Sequence, residues 1–521
     1  MFNRKHIFLL ALLTLSLNLC AQENINIHPS PLMYGLDTAK TGEGRYQALY
    51  RAHVAAQQCH TDVDYSGVGD LNIAIPKDAK TIPLTAHNDF KGITITVTNN
   101  VHDFTLFDLT GEATEIDVPQ NILDSGDFTT IPQLATGRKM LLVQDKKPWT
   151  KRAGKGFDYY CYRQDIIYLV DGKATNKAVC PYGDTVTTQP KCWVAEGNDP
   201  ATPLSIHDVT IRRADGNQFK AYCIRVSNCD NVELNNITIV TPRDKKKIAD
   251  GAISLNNCAN IKMHNVLIDG TYSQEHEYGY GIAMNNVLQS SFVKVVSRHC
   301  GWGVFGTNNI ADVTLDSCDV NRFDIHCYGR DVTLRHTLFS NVRVPFGSVY
   351  GNILYDSCTF YHSVPLYIRP RYNAHVPFDV TMRNCTFYTS VTRQRNKIFD
   401  MGYLNPDTNP RPELSQKCWP NIRIENMTVY MGFGVRNLYL FLIERGKHDE
   451  KPISHCQNII IDGFHIIGGH QTLRLCNRDD VLLKGPLKLD FKNMGTTKVV
   501  NNLKVATEKH STPEDIVQPI H

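Results

Sequence analysis

The sequence predicts an all-β chain wound as a right-handed parallel β-helix, a solenoid with an N-terminal capping helix. Three observations carry this. One short phrase recurs at solenoid spacing, its residues alternate polar and apolar, and Asn, Asp, Ser or Cys return at matching turn positions.

The phrase runs polar, apolar, polar, apolar, then Asn, Asp or Ser, then a second short strand. It reads Asp208-Val209-Thr210-Ile211, Asn231-Val232-Glu233-Leu234, Asn260-Ile261-Lys262-Met263, Asp312-Val313-Thr314-Leu315 and Asp331-Val332-Thr333-Leu334. Further copies are Asn352-Ile353-Leu354-Tyr355, Asp379-Val380-Thr381-Met382, Asn421-Ile422-Arg423-Ile424 and Asn458-Ile459-Ile460-Ile461. A period of two makes each copy a strand with one face inward. A coil of about 20 residues cannot bury that face alone, so coils must stack. The leucine-dominated consensus of leucine-rich repeats is missing. Stacked Asn side chains at the turns can satisfy the backbone and one another.

Ahead of the repeat, residues 1–21 read as a secretory signal. Arg4, Lys5 and His6 precede the apolar run Ile7 to Leu19, which is too short to span a bilayer. Cys20 also permits lipid attachment, but Leu19 is large for that signal, so export to the periplasm or medium is the preferred reading. Residues 22–64 form the N-terminal cap, with an amphipathic helix from Gly42 to Gln58 covering the open end of the solenoid. The helix proper occupies residues 65–496. Residues 133–203 break the repeat and read as an inserted hairpin, and residues 497–521 form a polar, poorly ordered tail.

Sixteen cysteines in an exported chain first suggest disulfides. Yet Cys229, Cys258, Cys318, Cys358 and Cys385 each close a similar phrase, as small buried hydrophobes of a stacked core would. Most are therefore read as reduced, with a few disulfides left open. The formal net charge of +3 gives no reason to expect a nucleic-acid partner. No other segment approaches transmembrane length, and a monomer is expected.

The strands after the Asn/Cys turn stack into a second sheet, through Gly281–Met284, Gly303–Gly306, Asp324–Tyr328, Val342–Val344, Leu366–Arg369 and Lys397–Asp400. In Arg322-Phe323-Asp324-Ile325-His326-Cys327-Tyr328-Gly329-Arg330, Phe323, Ile325 and Cys327 share one face. Arg322, Asp324, His326, Tyr328 and Arg330 share the other. Arg343, and then Tyr367, Arg369 and Arg371, follow on the next coils. One outward patch rich in Arg, His and Tyr results, set against the simpler reading of exterior decoration with Asp324 paired to Arg322 or Arg330.

Arginine forks match carboxylate and sulfate, so the patch suits an acidic sugar chain. Cleaving a uronate by β-elimination needs a cation on the carboxylate, a base for the C5 proton and an acid for the leaving oxygen. Arg330 or Arg369 could serve first, His326 second and Tyr328 third, while Asp324 orients His326 or binds a cation. Trp302 could stack on a sugar ring, and His276 lies in a loop that could wall the cleft.

With these coil phrases the chain resembles the pectate-lyase-like parallel β-helix enzymes, a superfamily of polysaccharide lyases and glycoside hydrolases. The resemblance covers roughly residues 65 to 490. It implies a substrate groove on one parallel sheet, where the Arg322 to Arg371 cluster falls, and leaves open a divalent cation such as calcium. Arg322-Phe323-Asp324-Ile325-His326 is similar to an Arg-Phe-Asp-x-His element in β-helix proteins of this kind. Of the polygalacturonase motifs only an Asp-Asp pair occurs, Asp479-Asp480, and the calcium-binding aspartates of pectate lyases do not assemble. The expectation is a lyase on a glycosaminoglycan-like or pectin-like uronate polymer. Its alternatives are a glycoside hydrolase pairing Asp324 with Glu275, Glu277 or Asp400, and a non-catalytic polysaccharide-binding protein.

Overall fold

The structure, a computed structural model, describes residues 28–152, 159–176, 190–214, 219–241, 249–271, 280–300, 303–340, 343–369, 378–389, 396–401, 420–443, 453–454, 458–480, 482–484 and 487–506. The signal segment and the last residues of the tail lie outside them. None of the described helices is long and apolar enough to cross a membrane.

Strand after strand pairs in parallel with its counterpart one coil away, through 27 strands of one continuous sheet system. The alternating phrase builds one column of this stack. Val232 pairs with Ile261, Val313 with Val332, Val332 with Ile353, Val380 with Ile422 and Ile422 with Ile459. The inward apolar positions of these strands are buried and merge into one core. Asp208-Val209-Thr210-Ile211 is the exception. Val209 pairs with Ile237, and Leu204 is the partner of Val232. Its likeness to the other copies is local. Two turns of the same coil both set a left-handed Asn or Asp before an alternating strand, as at Asp208, Asn231 and Asn236, so sequence pattern alone cannot tell the columns apart.

Those left-handed turns are held by side-chain ladders. Asn257 Nδ2 donates to Asn228 Oδ1 at 3.0 Å and Asn286 Nδ2 to Asn257 Oδ1 at 3.1 Å. A second run links Asp208, Asn236 and Asn265 at 2.9 and 2.8 Å. Asn tolerates positive φ, and identical height on every coil lets each amide bond the next. The cysteines follow the same logic. Cys258 Sγ meets Asn256 O, two residues back, at 3.2 Å and Val226 O, one coil back, at 3.5 Å. Cys229, Cys318, Cys358 and Cys385 repeat the pattern. Ten cysteines, these five and Cys59, Cys192, Cys223, Cys300 and Cys476, are free thiols.

The helix Gly42–Gln58 begins at Thr41, whose side chain accepts from Gly44 N. It lays Tyr46, Leu49 and Ala52 against Ile73, Ile82 and Phe107 at the first coils, so edge strands end under a cap. Beside the stack sits a separate five-stranded antiparallel sheet spanning Ala113–Ile116 to Lys191–Glu196. It begins at Ala113, ahead of the break in pattern at Gln133. Met140, Leu142, Ile166 and Ala195 pack it onto Ala259, Leu288 and Ala311, one small apolar row of three adjacent coils. Beyond Thr497 the chain still forms Lys498–Val500 and Lys504–Ala506, paired with earlier strands. The tail expected from residue 497 thus opens with two short paired strands, and its remainder lies outside the described residues.

Candidate active site

The second column places Ala283 beside Gly306 and Gly306 beside Asp324. Further along, Pro345 pairs with Tyr367 and Tyr367 with Asp400. Beneath it Phe292, Phe305, Phe323 and Phe346 stack edge to face, with centroids 5.4, 5.6 and 6.3 Å apart. This aromatic spine fixes the strand that carries the polar residues on its other side. The alternation foreseen for Arg322 to His326 is therefore present, with Phe323 and Ile325 inward.

Those polar residues are covered rather than displayed. Asp324 is fully buried, and Arg322 and Arg369 nearly so. Arg322 Nη2 lies 2.6 Å and Arg369 Nη2 2.7 Å from Asp324 Oδ2. His326 Nε2 is 3.3 Å from the same oxygen, while Asp324 Oδ1 meets no donor among the described residues. Arg369 thus joins His326 around one carboxylate from 45 residues away.

The residue missed from sequence is Tyr280. Its Oη donates to Asp324 Oδ2 at 2.9 Å and lies 2.7 Å from His326 Nε2. It reaches them by crossing Gly306 on the intervening coil, where a Cβ would stand 2.3 Å from the Tyr280 ring. The legible signal was a glycine in a column that elsewhere carries side chains.

Charge and burial set the protonation states. Burial would push the Asp324 carboxyl up, but Arg369, His326 and Arg322 outweigh it and hold it well below the usual carboxylate range. Burial lowers the His326 imidazole, reinforced by Arg369 and Arg322 and opposed by Asp324. The ring is therefore neutral at neutral pH. Burial, and then the Asp324 charge, raise the Tyr280 phenol.

A second group continues the face. The Arg343 guanidinium lies 3.9 Å over the Tyr367 ring and 3.9 Å from Asp400 Oδ2. Lys397 Nζ holds that carboxylate at 2.8 Å. Arg330 does not join either group. It bonds Asp312 at 2.9 Å and Asp331 at 2.8 Å, because the pairing shifts register between Ile325 and Tyr328 and carries it round the turn. His276, Glu275, Glu277, Trp302, Arg371 and the side chain of Tyr328 lie outside the described residues.

Neither Asp324 nor Asp400 resembles a calcium ligand, since each already faces two or more cationic side chains. Asp89, His207 and Asp208 do approach one another in an early coil, with His207 Nδ1 2.9 Å from Asp208 Oδ2 and 3.6 Å from Asp89 Oδ1. Lys91 is bonded to Asp89 there. This three-residue set is remote from the Asp324 cluster and enters no step below.

No known family matches the chain as a whole or in part, and no curated protein matches it. Solved structures do. The tailspike of Pseudomonas phage phi297 is similar over 92% of this chain and 81% of its own, at 13% identity and a TM-score of 0.54. The tailspike of Pseudomonas phage LKA1 matches 91% of this chain and 81% of its own, at 13% identity and a TM-score of 0.49. For the tailspike of Acinetobacter baumannii bacteriophage AP22 the figures are 91%, 79%, 12% and 0.43. What the phi297 likeness carries is architecture, and it agrees with the pairing described above: this chain is a parallel β-helix.

Proposed function

We propose that this chain degrades an acidic polysaccharide, and that it does so as an exported lyase acting on a uronic-acid polymer by β-elimination. One observation carries the reading: a neutral His326 in hydrogen-bond contact with Tyr280, set in a face where, among the described residues, four cations meet two carboxylates. The cationic groups of Arg322, Arg369, Arg343 and Lys397 suit a uronate carboxylate and would stabilise charge developing beside it. His326 keeps 13% of its side chain exposed, more than Arg322, Asp324 or Arg369.

In this reading the imidazole nitrogen of His326 that carries no hydrogen removes the C5 proton. The electron pair closes the C4–C5 double bond, the C4–O bond breaks, and the leaving oxygen takes the Tyr280 phenolic proton. The 2.7 Å contact between Tyr280 and His326 then returns the proton from imidazolium to phenolate, which restores both groups. Tyr280 takes the acid role first assigned to Tyr328, and Asp324 positions His326 and the two arginines.

A hydrolase would need a protonated carboxyl and a partner about 5 to 10 Å away. Asp324 is held ionised, and Asp400 sits three coils further on, about 14 Å at the usual strand spacing. The test is incubation with hyaluronan, chondroitin, polygalacturonate and alginate. The expected result is rising ultraviolet absorbance from unsaturated uronate ends. Shortened products without that absorbance would replace the lyase by a hydrolase, and retention without shortening by a binding protein.

A further inference from the structure

We infer that the cavity between the inserted sheet and the first asparagine ladder is a binding site for one neutral sugar unit, separate from the Asp324 cluster. Its volume is about 380 Å³, within the range of small-molecule sites. From the inserted sheet it is lined by Trp193, Gln144 and Gln164, the last two paired directly across their hairpin. From the coils it is lined by Asn257, Asn285 and Asn286.

The chemistry of this lining is selective. Among the described residues no charged side chain contributes to it, so there an anion or cation would lose its hydration with no counter-charge in return. Each amide both donates and accepts, as a sugar hydroxyl does. The indole offers a flat apolar surface for the C–H face of a pyranose. The amides are also presented rigidly. Asn257 and Asn286 stand in left-handed turns and are linked to each other at 3.1 Å, which fixes their rotamers before any ligand arrives. Asn285 makes no side-chain hydrogen bond to another described residue. Its donor and acceptor are both available.

Location gives the site a use. Ala283, two residues before Asn285, pairs with Gly306, which pairs with Asp324. The cavity therefore borders the sheet face that carries the cluster, two coils toward the N-terminus, or about 10 Å at the usual spacing. A polymer lying along the coils would meet an uncharged pocket and then a positive face, the order presented by a chain that mixes neutral and acidic sugars. The binding claim itself does not rest on the lyase chemistry.

The test is calorimetric titration of the full chain with glucose, galactose, mannose, N-acetylglucosamine and glucuronate. At least one neutral sugar is expected to bind with millimolar affinity, and glucuronate about tenfold more weakly at this site. Asn285→Ala and, separately, Trp193→Phe should each weaken the neutral sugar about fivefold or more, while His326→Ala leaves it unchanged. Failure of all four neutral sugars to bind at ~50 mM would overturn the proposal. So would binding indifferent to both substitutions, or binding abolished by His326→Ala.

Discussion

The Tyr280 ring occupies the space that a side chain on Gly306 would need: a Cβ there would stand 2.3 to 2.5 Å from three ring carbons. Gly306 is required for its emptiness rather than its torsion angles, since its φ is not positive. Gly306→Ala should therefore push Tyr280 off Asp324 and His326 while the coils stay paired. The expected outcome is a stability loss of about 1–3 kcal/mol and a fall in turnover close to that of Tyr280→Phe. Denaturant melts and polymer cleavage measured on the same samples check this.

His326→Ala should lower cleavage by about 10²- to 10⁴-fold with little change in folding, because a general base contributes on that scale. Tyr280→Phe keeps the ring over Gly306 and removes only the hydroxyl. It should cost about 1.5–3 kcal/mol of stability, the range for a hydrogen bond to a charged group, but reduce turnover more than it raises KM. Equal losses in both constants would reassign Tyr280 from acid to substrate contact.

Asp324→Asn removes the carboxylate charge that the buried Arg322 and Arg369 share, which is expected to cost about 3–5 kcal/mol. The same substitution removes the group that raises the His326 pKa, leaving burial and the two arginines to lower it. The acid limb of kcat/KM against pH reports protonation of that base. In Asp324→Asn it should move to lower pH, and a shift to higher pH would show that His326 is not the group titrating.

The capping helix should loosen in acid. His53 is fully buried with Nε2 2.6 Å from Tyr65 Oη, and burial lowers its pKa to about 3. An unfolded cap takes up that proton below about pH 6.5, whereas the native cap refuses it until about pH 3. Stability from this group is therefore complete above 6.5 and declines across the window by up to about 1.4 kcal/mol per unit. Hydrogen exchange in Gly42–Gln58 should accelerate from pH 6 to pH 4, after correction for intrinsic rates. The increase should be smaller in His53→Gln.

The turn cysteines should resist alkylation in the native protein. Burial pushes the Cys229 thiol up to about 12 and the Cys318 thiol up to about 11, and only a thiolate reacts. Mass spectrometry after iodoacetamide should find Cys229, Cys258, Cys318, Cys358 and Cys385 unmodified until denaturant is added.

Much of the architecture was legible because it repeats locally. Alternation in Asp331-Val332-Thr333-Leu334 decides which side chains face inward whatever the neighbours are, and Asn228, Asn257 and Asn286 mark turns through their own tolerance of positive φ. The same locality misled at Asp208, whose phrase is correct as a strand but belongs to the adjacent column. Polar alternation likewise brought Arg322, Asp324 and His326 to one face, and stacking brought Arg369 to them.

What the sequence determined by itself is thus the solenoid and the face on which its polar residues lie. Tertiary structure alone decided that Tyr280 completes the cluster, that Asp324 is sealed from water, and that Arg330 turns away to Asp312. The reason is range. Inward or outward is set by a two-residue period, whereas the cover over a given side chain depends on how many residues each coil spends before it returns. For Tyr280 and Asp324 that is 44 residues of chain, and no short pattern encodes the sum.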